Sequence, residues 1–107
     1  MPGAKIVAIF PRPTDSEAFE KQYLDEHIPL AAAKLQGQTK IVMTKGVDTP
    51  QGPAPFHRLA EVHFPSMEAL QACMAAPATA EVVAHAFTIS TGGPPMLFVA
   101  EEETVTF

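Results

Sequence analysis

FEKQYLDEHIPLA, residues 19–31, decides how the rest of the chain is read. Phe19, Tyr23 and His27 stand four apart, so on a helix of 3.6 residues per turn they stack along one face with Leu24 beside them. Glu20, Lys21, Asp25 and Glu26 fall largely off that stripe, toward water. The helix therefore turns two aromatic rings and an imidazole inward. Just upstream, Thr14-Asp15-Ser16-Glu17 has the T-x-x-E form of a capping box, which makes Thr14 the expected N-cap. Downstream, Pro29 has no N–H and disfavours a helical Ile28, so a stop or kink is expected near His27. An imidazole at such an end meets free carbonyls and the negative helix pole, which favour its charged form, whereas burial opposes it. The sequence leaves that contest open.

Outward from this helix the elements follow in order. Residues 4–10, AKIVAIF, form a β-branched apolar run that suits a strand covered on both faces, central in its sheet. Pro11-Arg12-Pro13 is a rigid extended link. Gly37 is a natural helix stop, and residues 39–45 alternate as a second strand. Residues 46–55 hold three prolines and two glycines and read as the most mobile loop. Residues 56–64 are a third strand, with Phe56, Arg58, Ala60, Val62 and Phe64 on one side and His57, Leu59, Glu61 and His63 on the other. Ser66 caps a second helix whose Met67, Leu70, Cys73 and Met74 make a buried stripe. Pro77 ends it, Thr79 is the expected cap of a short helix through Phe87, and Gly92-Gly93-Pro94-Pro95 leads into a last strand over 96–100. Glu101 to Glu103 reads as a solvated charge run; residues 104–107 either fray or add a strand to a neighbour.

The order β-α-β-β-α-β is that of an α+β ferredoxin-like plait, one four-stranded antiparallel sheet with both helices on one face. A chain of 107 residues fits one domain, 1–107, burying roughly two-thirds of its unfolded surface. The bare sheet face then predicts a homodimer, a second copy closing an apolar patch. The net charge of −5 with only 7 scattered basic residues argues against nucleic acid. The apolar runs are far shorter than the roughly 20 residues of a membrane span, and no signal-peptide pattern opens the chain, so a cytoplasmic protein is expected. Cys73 is the single cysteine and reads as a small buried hydrophobe.

Residues across about 5–102 resemble the EthD-like family, named for a component of ethyl tert-butyl ether degradation, within the dimeric α+β barrel group. The carriers are Phe19, Tyr23 and His27-x-Pro29-Leu30-Ala31; Ala60, Glu61, Phe64, Ser66, Met67, Glu68 and Ala69; Pro77; Ser90-Thr91-Gly92-Gly93; and Glu101-Glu102. The resemblance implies two plaits packed sheet to sheet as a dimeric α+β barrel, with a pocket in each protomer between sheet and helices. The wider group hosts polyketide cyclases, cofactorless oxygenases, muconolactone isomerases and haem-processing enzymes. One position departs: relatives often carry an aspartate where His85 stands, four residues before an aromatic that is Ile89 here. If that aspartate partners the signature histidine, the pair here is two imidazoles, with different chemistry.

His27 is the first candidate for acid/base work or for a hydrogen bond to a ligand oxygen, because imidazole titrates near neutrality. Tyr23 is its candidate orienter and His85 the second catalytic candidate. Phe19, His57, Glu61 and His63 are the candidate ligand-binding residues, the last three expected on one strand face with Glu61 and His63 about 6.8 Å apart along the strand. No metal site is expected, since a third ligand is missing, and no nucleotide signature or other cofactor motif occurs. A hydrophobic, oxygenated small molecule handled by proton transfer is the leading expectation. A non-catalytic ligand-binding or accessory subunit of a degradation pathway is the alternative, and a haem-handling barrel is disfavoured.

Overall fold

The computed structural model describes residues 3–107. Four antiparallel strands, β1 (Gly3–Phe10), β2 (Lys40–Lys45), β3 (Arg58–Phe64) and β4 (Met96–Glu102), form a sheet in the order β2-β3-β1-β4. The apolar first strand is central, as its composition requires. Its register sets Lys5 opposite His63, Val7 opposite Glu61 and Ile9 opposite Leu59 on one side, and Lys5 opposite Ala100 and Val7 opposite Phe98 on the other. Alternation along each strand therefore gives one face Ala4, Ile6, Ala8, Phe10, Ala60, Val62 and Phe64, and the other Lys5, Val7, Glu61, His63 and Phe98. The first of these faces packs under the helices, so the architecture is the α+β ferredoxin-like plait.

The helix over the signature stretch differs from its expected form in two ways. Its N-cap is Asp15, whose carboxylate accepts from the Ala18 N–H at 3.1 Å, and not Thr14. Thr14 is drawn away because its N–H donates to the Thr91 hydroxyl at 3.1 Å, tying the link after β1 to the loop before β4. Nor does the helix stop at His27. Helix α1 (Ser16–Gln22) passes through a π-helical turn, Tyr23–His27, into α2 (Ile28–Lys34), and the Ile28 N–H donates to the Tyr23 carbonyl five residues back. One extra residue in the turn carries the chain past the Pro29 ring, which then sits harmlessly in the first turn of α2. Gln38 closes α2 by donating to the Leu35 and Ala31 carbonyls at 2.8 and 3.1 Å.

On the other half, α3 (Met67–Ala75) is capped by Ser66 as expected, its hydroxyl accepting from the Ala69 N–H. Leu70 and Cys73 are buried, but Met74 is largely exposed, a correction to the full stripe. Pro77 both ends α3 and opens α4 (Pro77–Ile89), a longer helix than expected. Thr79 does not cap it; buried inside the first turn, its hydroxyl donates to the Cys73 carbonyl and so closes α3 instead. The last strand likewise outruns its expected end, because Glu102 lies opposite Gly3 and its carboxylate reaches Lys5 at 3.4 Å. Glu102 is therefore part of the sheet and not of a solvated tail. At Gly92 a Cβ would stand 1.8 Å from the Arg12 carbonyl oxygen, so only glycine allows this loop to lie against the link.

No single helix among the described residues is long and apolar enough to cross a membrane; α3 and α4 would pass together by length and composition, but they are bent by 82° and bury Leu70, Cys73, Val82, Ala86 and Ile89 in the core.

Candidate functional site

The stripe foreseen on the signature helix becomes a column of rings. Phe19 stacks on Tyr23 at 5.4 Å and Tyr23 on His27 at 6.0 Å, with interplanar angles of 17° and 20°, and His27 meets His85 of α4 edge to edge, the centroids 5.1 Å apart and the planes within 12° of each other. Phe10, at the end of β1, meets three of these rings edge-on at 5.4, 5.5 and 5.9 Å. Nδ1 of His27 lies 2.9 Å from Nδ1 of His85, at hydrogen-bond distance, with the tautomers of the two rings deciding which one donates. The fold thus brings together two histidines 58 residues apart in sequence. Tyr23 touches His27 through its ring face; its phenol is buried and has no hydrogen-bond partner among the described residues. Burial first, and then the Glu20 charge against the opposing Arg58 charge, pushes that phenol up to about 12.

Next to His27 a cavity of about 170 Å³ opens between the sheet and the helices. Four alanines from four elements, Ala8, Ala31, Ala60 and Ala86, converge on it, and larger aliphatic residues such as Ile6, Leu35, Ile41 and Leu97 join Val62 and Val82 in the remaining wall. The void exists because short side chains face each other there. His27 and Thr79 are its polar lining residues, and the Thr79 hydroxyl is already spent on the Cys73 carbonyl. The free polar atom is therefore Nε2 of His27, which makes no hydrogen bond among the described residues. Because the helix continues through His27, no free helix end stabilises a charge there, and desolvation first, then the neighbouring His85, lowers its pKa to about 4. Burial wins the contest left open by the sequence, and His27 is a neutral imidazole at pH 7.

Of the other candidate residues, His85 stands behind His27 as its partner, and none of Phe19, Tyr23, His57, Glu61 and His63 lines the cavity. The expected common face of His57, Glu61 and His63 holds only for the last two. The strand begins at Arg58, and the bent backbone before it turns His57 toward the helix side, where its ring meets Phe19 edge-on at 5.2 Å and its Nε2 lies 3.0 Å from the Glu20 carboxylate. Glu61 and His63 lie on the open sheet face in a cluster with Lys5 and Glu102. Lys5 Nζ is 2.8 Å from Glu61, and the nearly buried His63 ring approaches Glu61 at 3.5 Å and Glu102 at 3.6 Å. The Lys5 hydrogen bond holds the Glu61 carboxyl below its ordinary range.

Sequence reading missed Glu20 and Arg58 as a structural pair. Arg58 grips the Glu20 carboxylate with two hydrogen bonds, 2.6 and 3.1 Å, and its guanidinium lies 5.3 Å over the Tyr23 ring. The Arg58 hydrogen bonds, followed by that of His57, lower the Glu20 pKa against the opposing effect of burial. A carboxylate with a depressed folded pKa adds stability that is full above its unfolded value and is lost as pH falls through the folded one. Glu20→Gln is accordingly expected to cost about 1–3 kcal/mol near neutrality and progressively less as pH falls below 4.5, the ordinary carboxyl value. Urea unfolding of both proteins at pH 7 and pH 3 measures this; an equal cost at both would disprove it.

The chain is 26% identical over 101 residues to an 11.0 kDa protein of Rhodococcus erythropolis encoded in the thcB–thcC intergenic region, covering 94% of this chain and 96% of that one. Among solved structures it is similar to an ethyl tert-butyl ether degradation (EthD) family protein of Bacillus halodurans, with a TM-score of 0.84 and 27% identity over 96% of this chain and 100% of that one. At the level of fold alone it is similar to SnoaB of Streptomyces nogalater, with a TM-score of 0.60 and 12% identity over 98% and 95% of the two chains. The family model of the EthD domain matches residues 11–86, a span that holds the π-turn, His27 and His85, and the chain belongs to the EthD domain family.

Proposed function

We propose that this EthD-type protein takes an uncharged, largely apolar molecule of about one ring's size, bearing one oxygen function, and exchanges a proton with it through His27. The observation that carries this reading is the apolar cavity whose free polar atom is an imidazole nitrogen held neutral by burial. A cavity of about 150 Å³ lined by aliphatic side chains accommodates benzene, which sets the size class. No Lys or Arg lines the wall, so a carboxylate would be buried without a countercharge. Proton transfer at His27 suits isomerisation, cyclisation or a cofactor-free oxidation by dioxygen. SnoaB, which shares the fold, is a cofactor-independent oxygenase. The protein works as a homodimer closed through the open sheet face, where Phe98 and Met96 are exposed beside the partly buried Lys5, Glu61 and Glu102 and the buried His63.

Native mass spectrometry of the freshly purified protein tests assembly and retained ligand together: a dimer is expected, and a monomer would refute the covered face. Calorimetry with phenol and benzoate tests the cavity. Phenol is expected to bind, with benzoate weaker by about 100-fold or more, since its charge has nothing to pair with; equal affinities would overturn the reading. The second reading, a non-catalytic ligand-binding or accessory subunit, is favoured by the lack of a second free acid or base in the cavity wall. Retained ligand that is never turned over would decide for it.

A further inference from the structure

A proton taken from a cavity ligand finds a poor resting place on His27, where burial opposes a charged ring. The geometry beyond His27 supplies an exit. Its Nδ1 meets Nδ1 of His85 at 2.9 Å, and the far nitrogen of His85, Nε2, faces the Glu26 carboxylate at 3.8 Å. His85 is half-buried and Glu26 exposed, so burial falls step by step along the line from cavity to solvent. The π-turn gives this line its two ends, because Glu26 and His27 are adjacent residues on it, one in water and one in the cavity wall.

We propose that His27, His85 and Glu26 form a proton relay between the cavity and solvent, with His85 as the solvent-side base and Glu26 as its countercharge; this rests on the use of His27 on a cavity ligand. At rest His27 carries its proton on Nδ1 and donates it to the lone pair on His85 Nδ1, leaving His27 Nε2 bare toward the cavity. A ligand O–H or C–H bond breaks, its electron pair stays with the ligand, and the proton joins His27 Nε2. The Nδ1 proton of His27 crosses to His85 Nδ1, and the Nε2 proton of His85 leaves to Glu26 or water. One proton has moved from ligand to solvent, and both rings end neutral in the opposite tautomers. The reverse sequence returns a proton to the product.

The groups around the relay suit it. Tyr23 stacks on the other side of His27 with its phenol kept protonated, and Lys34 and Glu81 pair at 3.5 Å across α2 and α4. Among the described residues no Lys or Arg pairs with either imidazole or with Glu26, so the Glu26 charge is left for His85.

The test is nitrogen NMR of the full chain labelled with ¹⁵N-histidine. At pH 7 a single proton shared between the two Nδ1 atoms is expected, seen as complementary tautomers with a coupling across the hydrogen bond. Glu26→Gln is expected to slow exchange of the His27 ring proton with solvent by about twofold or more, a solvent-screened effect. His85→Phe keeps a planar ring at the site and is expected to slow exchange of the His27 ring proton with solvent by about tenfold or more. A merely structural His85 would leave that exchange unchanged. Two Nε2–H tautomers with no shared proton, or unslowed exchange in either variant, would each overturn the relay. Phenol binding without a shared proton would remove the relay and keep the cavity reading, whereas a shared proton without phenol binding would remove the cavity reading and the relay with it.

Discussion

Phe10→Ala is expected to lower the stability of the protein by about 3–5 kcal/mol, the range for deleting a fully buried aromatic side chain. Phe10 is completely buried and meets the rings of Phe19, Tyr23 and His27 together, each edge-on. Edge-to-face pairs add about 0.5–1.5 kcal/mol each beyond the area they bury, so their loss places the substitution toward the upper end of the range. The collapse that softens such losses elsewhere is opposed here, because the rings on three sides belong to one rigid column and β1 is central in the sheet. Urea unfolding checks the magnitude. A loss below about 1 kcal/mol, the scale of ordinary surface changes or slightly more, would show that the column stands without its edge-on partner.

His27→Phe separates packing from chemistry. It preserves a ring in the column and removes both imidazole nitrogens, so turnover of the molecule identified in the native spectrum is expected to fall by about 10²–10⁴, the scale of a positioned acid or base. Its effect on acid stability follows from the lowered pKa. The unfolded chain takes up a proton on His27 below its ordinary value of 6.5, and the folded chain does so only near 4, so the native protein loses stability as pH falls between these values. Between pH 7 and pH 5 this amounts to about 2 kcal/mol in the wild type, and His27→Phe is expected to be free of it. Unfolding midpoints of the two proteins at both pH values measure the difference. Parallel changes in both would mean that His27 is not held neutral by its surroundings, and unchanged turnover would take it out of the mechanism.

The strand and helix order was legible because each element's period is a local property. AKIVAIF reads as a central strand, which β1 is, and the register between β1 and β3 follows once one apolar face of each is buried. The Phe19, Tyr23 and His27 stripe was likewise written in a spacing of four, and it survives the π-turn because the extra residue falls at its end. What the turn did to His27 was not legible. A proline four residues from Asp25 predicts a break, and only packing of α2 and α4 against the sheet makes a continued, widened helix the better solution.

The sequence by itself determined the plait, the inward stripe and the identity of the imidazole at its end. The tertiary structure decided the site: the cavity is an absence of side chains, made when Ala8, Ala31, Ala60 and Ala86 meet from four elements, and no single segment records an absence. It also decided that His85 faces His27, that His57 leaves its strand partners for Glu20, and that burial rather than a helix end sets the charge on His27. Each of these depends on which distant residues share a place, a relation that periodicity along one chain does not encode.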